Sequence, residues 1–140
     1  MAAYCTTADV KAELATVTIS SSTTPTEAQT TGYIVRVSAE INLALRSRGV
    51  TVPPTDDEAT DYIKTLAVYG TVASVLAAKF GHGTPQAAAA EERYRAMLGD
   101  IRSGALDMNT AAQGAHFAEG MTLDSEGTTR TAAITREMTW

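Results

Sequence analysis

Thr55-Asp-Asp-Glu-Ala-Thr-Asp-Tyr-Ile-Lys-Thr-Leu-Ala-Val-Tyr-Gly70-Thr-Val-Ala-Ser-Val-Leu-Ala-Ala-Lys-Phe80 is the stretch whose reading decides the fold. Ala59, Tyr62, Ile63, Leu66, Ala73, Leu76, Ala77 and Phe80 recur at helical spacing, which predicts one long helix with a continuous apolar face. Its start is marked by Thr55-Asp-Asp-Glu58, a capping-box pattern that also sets three carboxylates at the positive end of the helix dipole. The small residues Ala67, Gly70, Ala73, Ala77 and Ala78 let other helices approach closely, so this segment is expected at the centre of the fold. Between Leu66 and Phe80 the apolar run is interrupted by Tyr69, Gly70, Thr71, Ser74 and Lys79, and it is expected to fall short of a membrane span.

Reading towards the N-terminus, Val50-Thr-Val-Pro-Pro54 is a stiff extended connector, because paired prolines fix the backbone and remove two donors. Before it, Ile34, Val37, Ile41 and Leu45 form a helical stripe, with Arg36, Glu40 and Arg46 opposite. The start signal Thr24-Pro25-Thr26-Glu27 and the stop at Gly49 predict a helix from about Pro25 to Arg48. Thr6, Thr7 and Asp9 offer cap chemistry for a short helix through Val10 and Leu14, followed by extended Val17-Thr-Ile-Ser20 and a polar loop. Towards the C-terminus, Gly81-His-Gly83 ends the central helix and Thr84-Pro85 opens the next, Gln86 to Ser103. Its stripe is Ala87, Ala90, Tyr94, Met97 and Ile101, and Gly104 stops it. Ala105-Leu-Asp-Met108 is expected to fold back over the bundle.

Beyond Asn109 the helical grammar ceases. Thr110 to Trp140 is rich in Thr, Ala and Gly yet carries Phe117, Met121, Leu123, Ile134, Met138 and Trp140. The expected architecture is all-α, a compact bundle of about four helices in residues 1–109, with 110–140 as an extended C-terminal arm or a short β element. Alone, such an arm buries too little to offset chain entropy. Its apolar and aromatic residues, with Arg136, suit contact with another chain. Phe117, Met121, Leu123, Ile134, Arg136, Met138 and Trp140 are therefore the candidate interface residues.

One domain of 140 residues with 44% hydrophobic content can build a single core. The formal charge of -5 argues against a chain whose main work is gripping phosphate backbones. That charge is spread along the chain, with 9 Lys+Arg and 12 Asp+Glu in residues 1–109 and 2 and 4 in the remainder. Cys5 is the lone cysteine and reads as a small apolar filler; with His82 and His116 it shows no metal-ligand spacing. The opening residues lack a basic flank and an apolar h-region, which predicts a soluble, intracellularly made protein. Asp56, Asp57, Glu58 and Asp61 read as helix-start acids, without the spacing of a calcium loop. His82 reads as a helix-terminal residue, Arg46 and Arg48 as cations complementing a helix end, and Tyr33, Tyr62, Tyr69 and Tyr94 as packing residues. No catalytic, cofactor or metal constellation is found, and no enzyme activity is expected.

Several segments carry a resemblance: Tyr4-Cys-Thr-Thr-Ala-Asp-Val10, Ser38-Ala-Glu-Ile-Asn42, Gly49-Val-Thr-Val-Pro-Pro54, the Ala-rich central helix, and Glu92-Arg-Tyr-Arg-Ala-Met-Leu-Gly-Asp-Ile-Arg-Ser-Gly104. Over about residues 3 to 109 the chain resembles the head-tail connector (adaptor) proteins of tailed bacteriophages and gene transfer agents. Tyr94, Leu98 and Ile101 followed by Gly104 are the most specific part of the match. The resemblance implies a virion protein of the neck, assembled in the host cytoplasm into a ring of twelve identical subunits docked on the portal protein. Beneath the ring would sit a stopper or tail protein. Double-stranded DNA would pass through the lumen without sequence-specific binding, and no membrane is involved. Two other readings stand beside it: a small terminase-like subunit that binds DNA for packaging, which shares the size and helicity, and a tail-completion or stopper protein, which occupies the same assembly although stoppers lean more towards β structure.

Overall fold

The computed structural model describes residues 2–106 and 108, which fall within one unit ending at Met108. Four helices follow in order: α1 Thr7–Glu13, α2 Glu27–Ser47, α3 Asp57–Phe80 and α4 Pro85–Ser103. No strand occurs among the described residues. The bundle is organised around α3, which packs against each of the other three helices, while α2 and α4 also meet each other. Ile41 and Leu45 of α2, Ile63, Leu66 and Val75 of α3, Ile101 of α4 and Val10 of α1 are fully buried together. Removing one such side chain from water contributes about 1.5–3 kcal/mol, so these positions hold the four helices in a common core.

Helix α3 by itself meets the length and composition of a bilayer span, with a mean hydropathy of 1.3 over its most apolar window. The expectation that its polar interruptions would prevent this was too strict. Half of that window is buried inside the fold, where Leu66, Ala67, Val72, Val75 and Leu76 face neighbouring helices. Its apolarity is thus accounted for by the bundle core.

The first three helix starts follow the predicted chemistry, with two shifts in register, whereas at α4 Thr84 makes no side-chain cap and its hydroxyl donates to the Gly81 carbonyl at 3.0 Å. At α1 the Thr6 hydroxyl accepts from the Asp9 N–H at 3.2 Å, and the Asp9 carboxylate accepts from the Thr6 N–H at 2.8 Å. The second helix begins at Glu27, two residues later than Pro25. Two overlapping patterns, Thr24-x-x-Glu27 and Thr26-x-x-Gln29, fit the capping rule, and Thr26 closes the box with Gln29 at 2.8 and 3.2 Å. Pro25 is instead buried in the loop before the helix. Glu27 is left free to pair with Lys11 of α1 at 3.0 Å. At α3 the cap is Asp56, whose carboxylate accepts from the Ala59 N–H at 2.9 Å, one residue beyond the expected Thr55. A charged acceptor at that place also meets the helix dipole favourably.

Helices α2, α3 and α4 end at glycines, whereas α1 ends at Leu14. Gly49, with φ 74, follows α2, and the Val50 N–H donates to the Leu45 carbonyl at 3.1 Å while the Gly49 N–H donates to Arg46 at 3.0 Å. That pair of bonds is a Schellman closure, and buried Val50 supplies its apolar contact. Gly104 adopts the left-handed conformation after α4, and the chain then returns to the bundle through Met108, which is buried, whereas Leu106 stays exposed. Val17 and Ile19 are buried in the α1–α2 connection without pairing as a strand.

Candidate functional site

The seven residues expected to contact other chains, Phe117, Met121, Leu123, Ile134, Arg136, Met138 and Trp140, lie outside the described residues. Within the described bundle a groove of about 710 Å³ runs over α3 between α2 and α4. Its floor is Gly70, Ala73, Ser74, Ala77 and Ala78 of α3. Tyr33, Arg36, Val37 and Glu40 rise from α2, and Tyr94, Arg95, Leu98 and Arg102 from α4, with His82 at one end. Gly70 makes the geometry possible. A methyl group there would lie 2.7 Å from a Tyr94 ring carbon and 2.8 Å from a Val37 methyl, so only glycine lets the ring and the valine meet over α3.

Polar contacts fix the walls. The Tyr94 hydroxyl donates to the Glu40 carboxylate at 2.7 Å, joining α4 to α2 across the groove. Burial, reinforced by the adjacent Glu40 charge, holds the Tyr94 hydroxyl well above the usual phenol range, so it remains a neutral donor. Arg36 donates to the Ser74 hydroxyl at 3.0 Å and lies 5.3 Å from the centre of the Tyr33 ring. Ser74 in turn donates to the Gly70 carbonyl at 3.1 Å. Arg95 pairs with Glu91 one turn earlier on α4. Arg102 forms no ion pair among the described residues. The groove therefore combines a floor of small residues with three guanidinium groups and the Glu40 and Glu91 carboxylates on its rims.

Other singled-out residues have structural roles. Cys5 is buried in the core, and burial raises its thiol above the ordinary range. Asp56 caps α3, while Asp57 and Glu58 occupy the exposed first turn. Among the described residues no three His, Cys, Asp or Glu side chains converge as a metal site. Tyr33, Tyr62 and Tyr69 pack partly buried against the core, and Tyr69 carries the Arg93 guanidinium 4.9 Å from its ring centre. Arg46 and Arg48 are exposed at the end of α2, with Arg48 lying against Gly104. The groove was not legible in the sequence, because its charged residues come from two different helices and each reads alone as a solvated face. The available signal was Gly70 in mid-helix, where a destabilising residue marks a close approach.

No family profile, curated protein or solved structure matches the chain.

Proposed function

We propose that this protein is a structural head-tail connector, an adaptor that forms a ring beneath the portal of a tailed phage or phage-like particle. The observation that carries this reading is the join at Met108: a closed four-helix core ends there, and 32 residues with an apolar, Trp-bearing composition follow. Such a segment contributes most where another chain covers it, and the ordering entropy is then offset by interface contacts. The segments that resemble the adaptor family lie on the helices and closing turns of this core. Further support comes from the solvent side of α2, where Val35 and Leu43 are 53% and 70% exposed two turns apart, a surface suited to contact between subunits. The net charge of -5 is consistent with a passage that repels DNA and lets it slide.

In this mechanism docking on the portal orders the segment after Met108, and the helical core acts as the rigid body of each ring subunit. The test is deletion of residues 120–140. The truncated chain is expected to retain its helical circular dichroism and cooperative unfolding while losing co-sedimentation with portal rings. Unchanged portal binding would remove the mechanism. Tight, salt-dependent binding of the intact chain to duplex DNA would instead favour the packaging-subunit reading.

A further inference from the structure

We propose that the outer face of α2 docks on the α1–α3 flank of a second copy of this chain, with Leu43 seated beside Thr65 and Val68 and Arg46 paired with Asp61. The inference rests on the ring reading in one respect, that identical subunits meet head to tail. Leu43 is 70% exposed, Val35 is 53% exposed two turns earlier, and partly buried Ala39 lies between them in line. Exposed Arg46 continues that line by one turn. The receiving hollow, of about 290 Å³, lies where α1 meets α3, and Ala12, Thr65, Val68 and Tyr69 form its less polar part. The one cation lining it, Lys64, is paired with Asp9 at 3.1 Å, and Glu13 beside them has no ion pair among the described residues. Asp61, one turn before Thr65, is exposed and likewise unpaired among them, as is Arg46 on α2. Complementary charge of this kind fixes register and rejects wrong partners.

Two geometric relations select a second copy as the occupant, and the first is direction. At 3.6 residues per turn, Gly70 and Ser74, through which α3 meets Val37 and Arg36 of α2, point about 180° away from Asp61 and Thr65. Leu43, being exposed, points away from α3, so the two surfaces lie on opposite sides of the molecule and cannot meet within one chain. Faces so placed join head to tail, and contacts of that type close into rings. The second relation is height. Val37 stands beside Gly70, and the Arg36–Ser74 bond shows that the two helices run antiparallel. Six residues on from that contact along α2 is Leu43, and six residues back along α3 is Lys64, next to Thr65. Nine residues likewise reach Arg46 and Asp61. Rotation about an axis parallel to the helices preserves height, so one step brings both Leu43 to the hollow and Arg46 to Asp61.

The test is sedimentation velocity on full-length variants whose folding is checked by circular dichroism. Wild type is expected to self-associate at high concentration. Leu43→Ser should weaken association about tenfold or more, and Arg46→Glu or Asp61→Arg alone about threefold to tenfold. Mixing the Arg46→Glu and Asp61→Arg proteins should restore it, because an alternating array has a reversed pair at one contact and a wild-type pair at the next. The double variant should associate by itself, since every contact then carries the reversed pair. Wild-type-like association of Asp61→Arg, as two α2 faces packed on each other would give, overturns the proposal. So does a mixture that fails to recover, or a wild type that stays monomeric at every attainable concentration. Portal co-sedimentation keeps the two ideas apart: portal binding by the wild type with no loss of self-association in any variant keeps the connector reading and loses this one, and the expected pattern of association without portal binding does the reverse.

Discussion

Gly70→Ala should destabilise the fold although Ala is the better helix former. The added methyl would sit 2.7 and 2.9 Å from two carbons of the Tyr94 ring and 2.8 Å from a Val37 methyl, all below ordinary contact distance. Neither neighbour yields easily. Tyr94 is buried and tethered to Glu40, and Val37 is a β-branched residue that is 2% exposed. Overpacking of this kind costs about 1–3 kcal/mol, and the helix-propensity gain of Ala over Gly returns about 1 kcal/mol. The propensity contribution is removed by comparison with Gly99→Ala in α4, where a methyl would meet nothing within 4 Å. Gly99→Ala should therefore stabilise by about 0.5–1 kcal/mol. The difference between the two variants isolates the steric cost and should be about 1–3 kcal/mol. Urea unfolding followed by circular dichroism reads it as a lower midpoint at unchanged slope. In the double variant, Val37→Ala should relieve part of the strain, a coupling that a mutant cycle measures. A Gly70→Ala midpoint equal to or above that of Gly99→Ala would refute the close-approach argument and, with it, the account of how the groove is built.

Two further expectations concern the edges of the helices. Gly104→Ala places a side chain at φ 76 and should cost about 1–2 kcal/mol, since the neighbouring Arg48 is a mobile side-chain end that can move aside; Gly83→Ala, with open space and no positive φ, should change the urea midpoint little. Asp9 is held at about 2, chiefly by the Thr6 N–H and hydroxyl donors and secondarily by Lys64, which lies 3.1 Å away. A depressed folded-state value means that its stabilisation is complete above the ordinary carboxylate value near 4 and is lost as pH falls through about 2. The urea midpoint of Asp9→Asn should accordingly lie below the wild type at neutral pH and converge with it on acidification; a gap independent of pH would contradict this.

Helix existence and order were legible because the apolar stripes, the Pro-bearing starts and the Gly stops agree with one another along the chain. Where two signals compete locally, sequence alone does not rank them. Thr24 and Thr26 both head a capping pattern, and the outcome depends on Pro25 being taken into the core, which is a tertiary fact. Thr55 and Asp56 compete in the same way at α3. The groove lies one level further from the sequence. Glu40 and Tyr94 are 54 residues apart, and nothing in either helix announces that they share a hydrogen bond. Cys5 and the helix-start acids could be read correctly because local chemistry suffices for them. Phe117 to Trp140 could be read only by composition, and those residues lie outside the described structure.

Near the N-terminus, the Tyr4 N–H donates to the Ser38 hydroxyl at 3.2 Å, and the Tyr4 hydroxyl donates to the Asn42 side-chain oxygen. Ser38 and Asn42 are 1% and 6% exposed and stand one turn apart on α2. Greasy surfaces tolerate sliding, because Val, Ile and Leu pack nearly as well after slipping by a turn. A ladder of two polar rungs does not: displaced by four residues, Tyr4 would face different atoms and an amide would be stranded in an oily setting, at roughly 1–3 kcal/mol. The opening residues thus act as an alignment key, admitting one vertical setting of α1 against α2 and rejecting its neighbours.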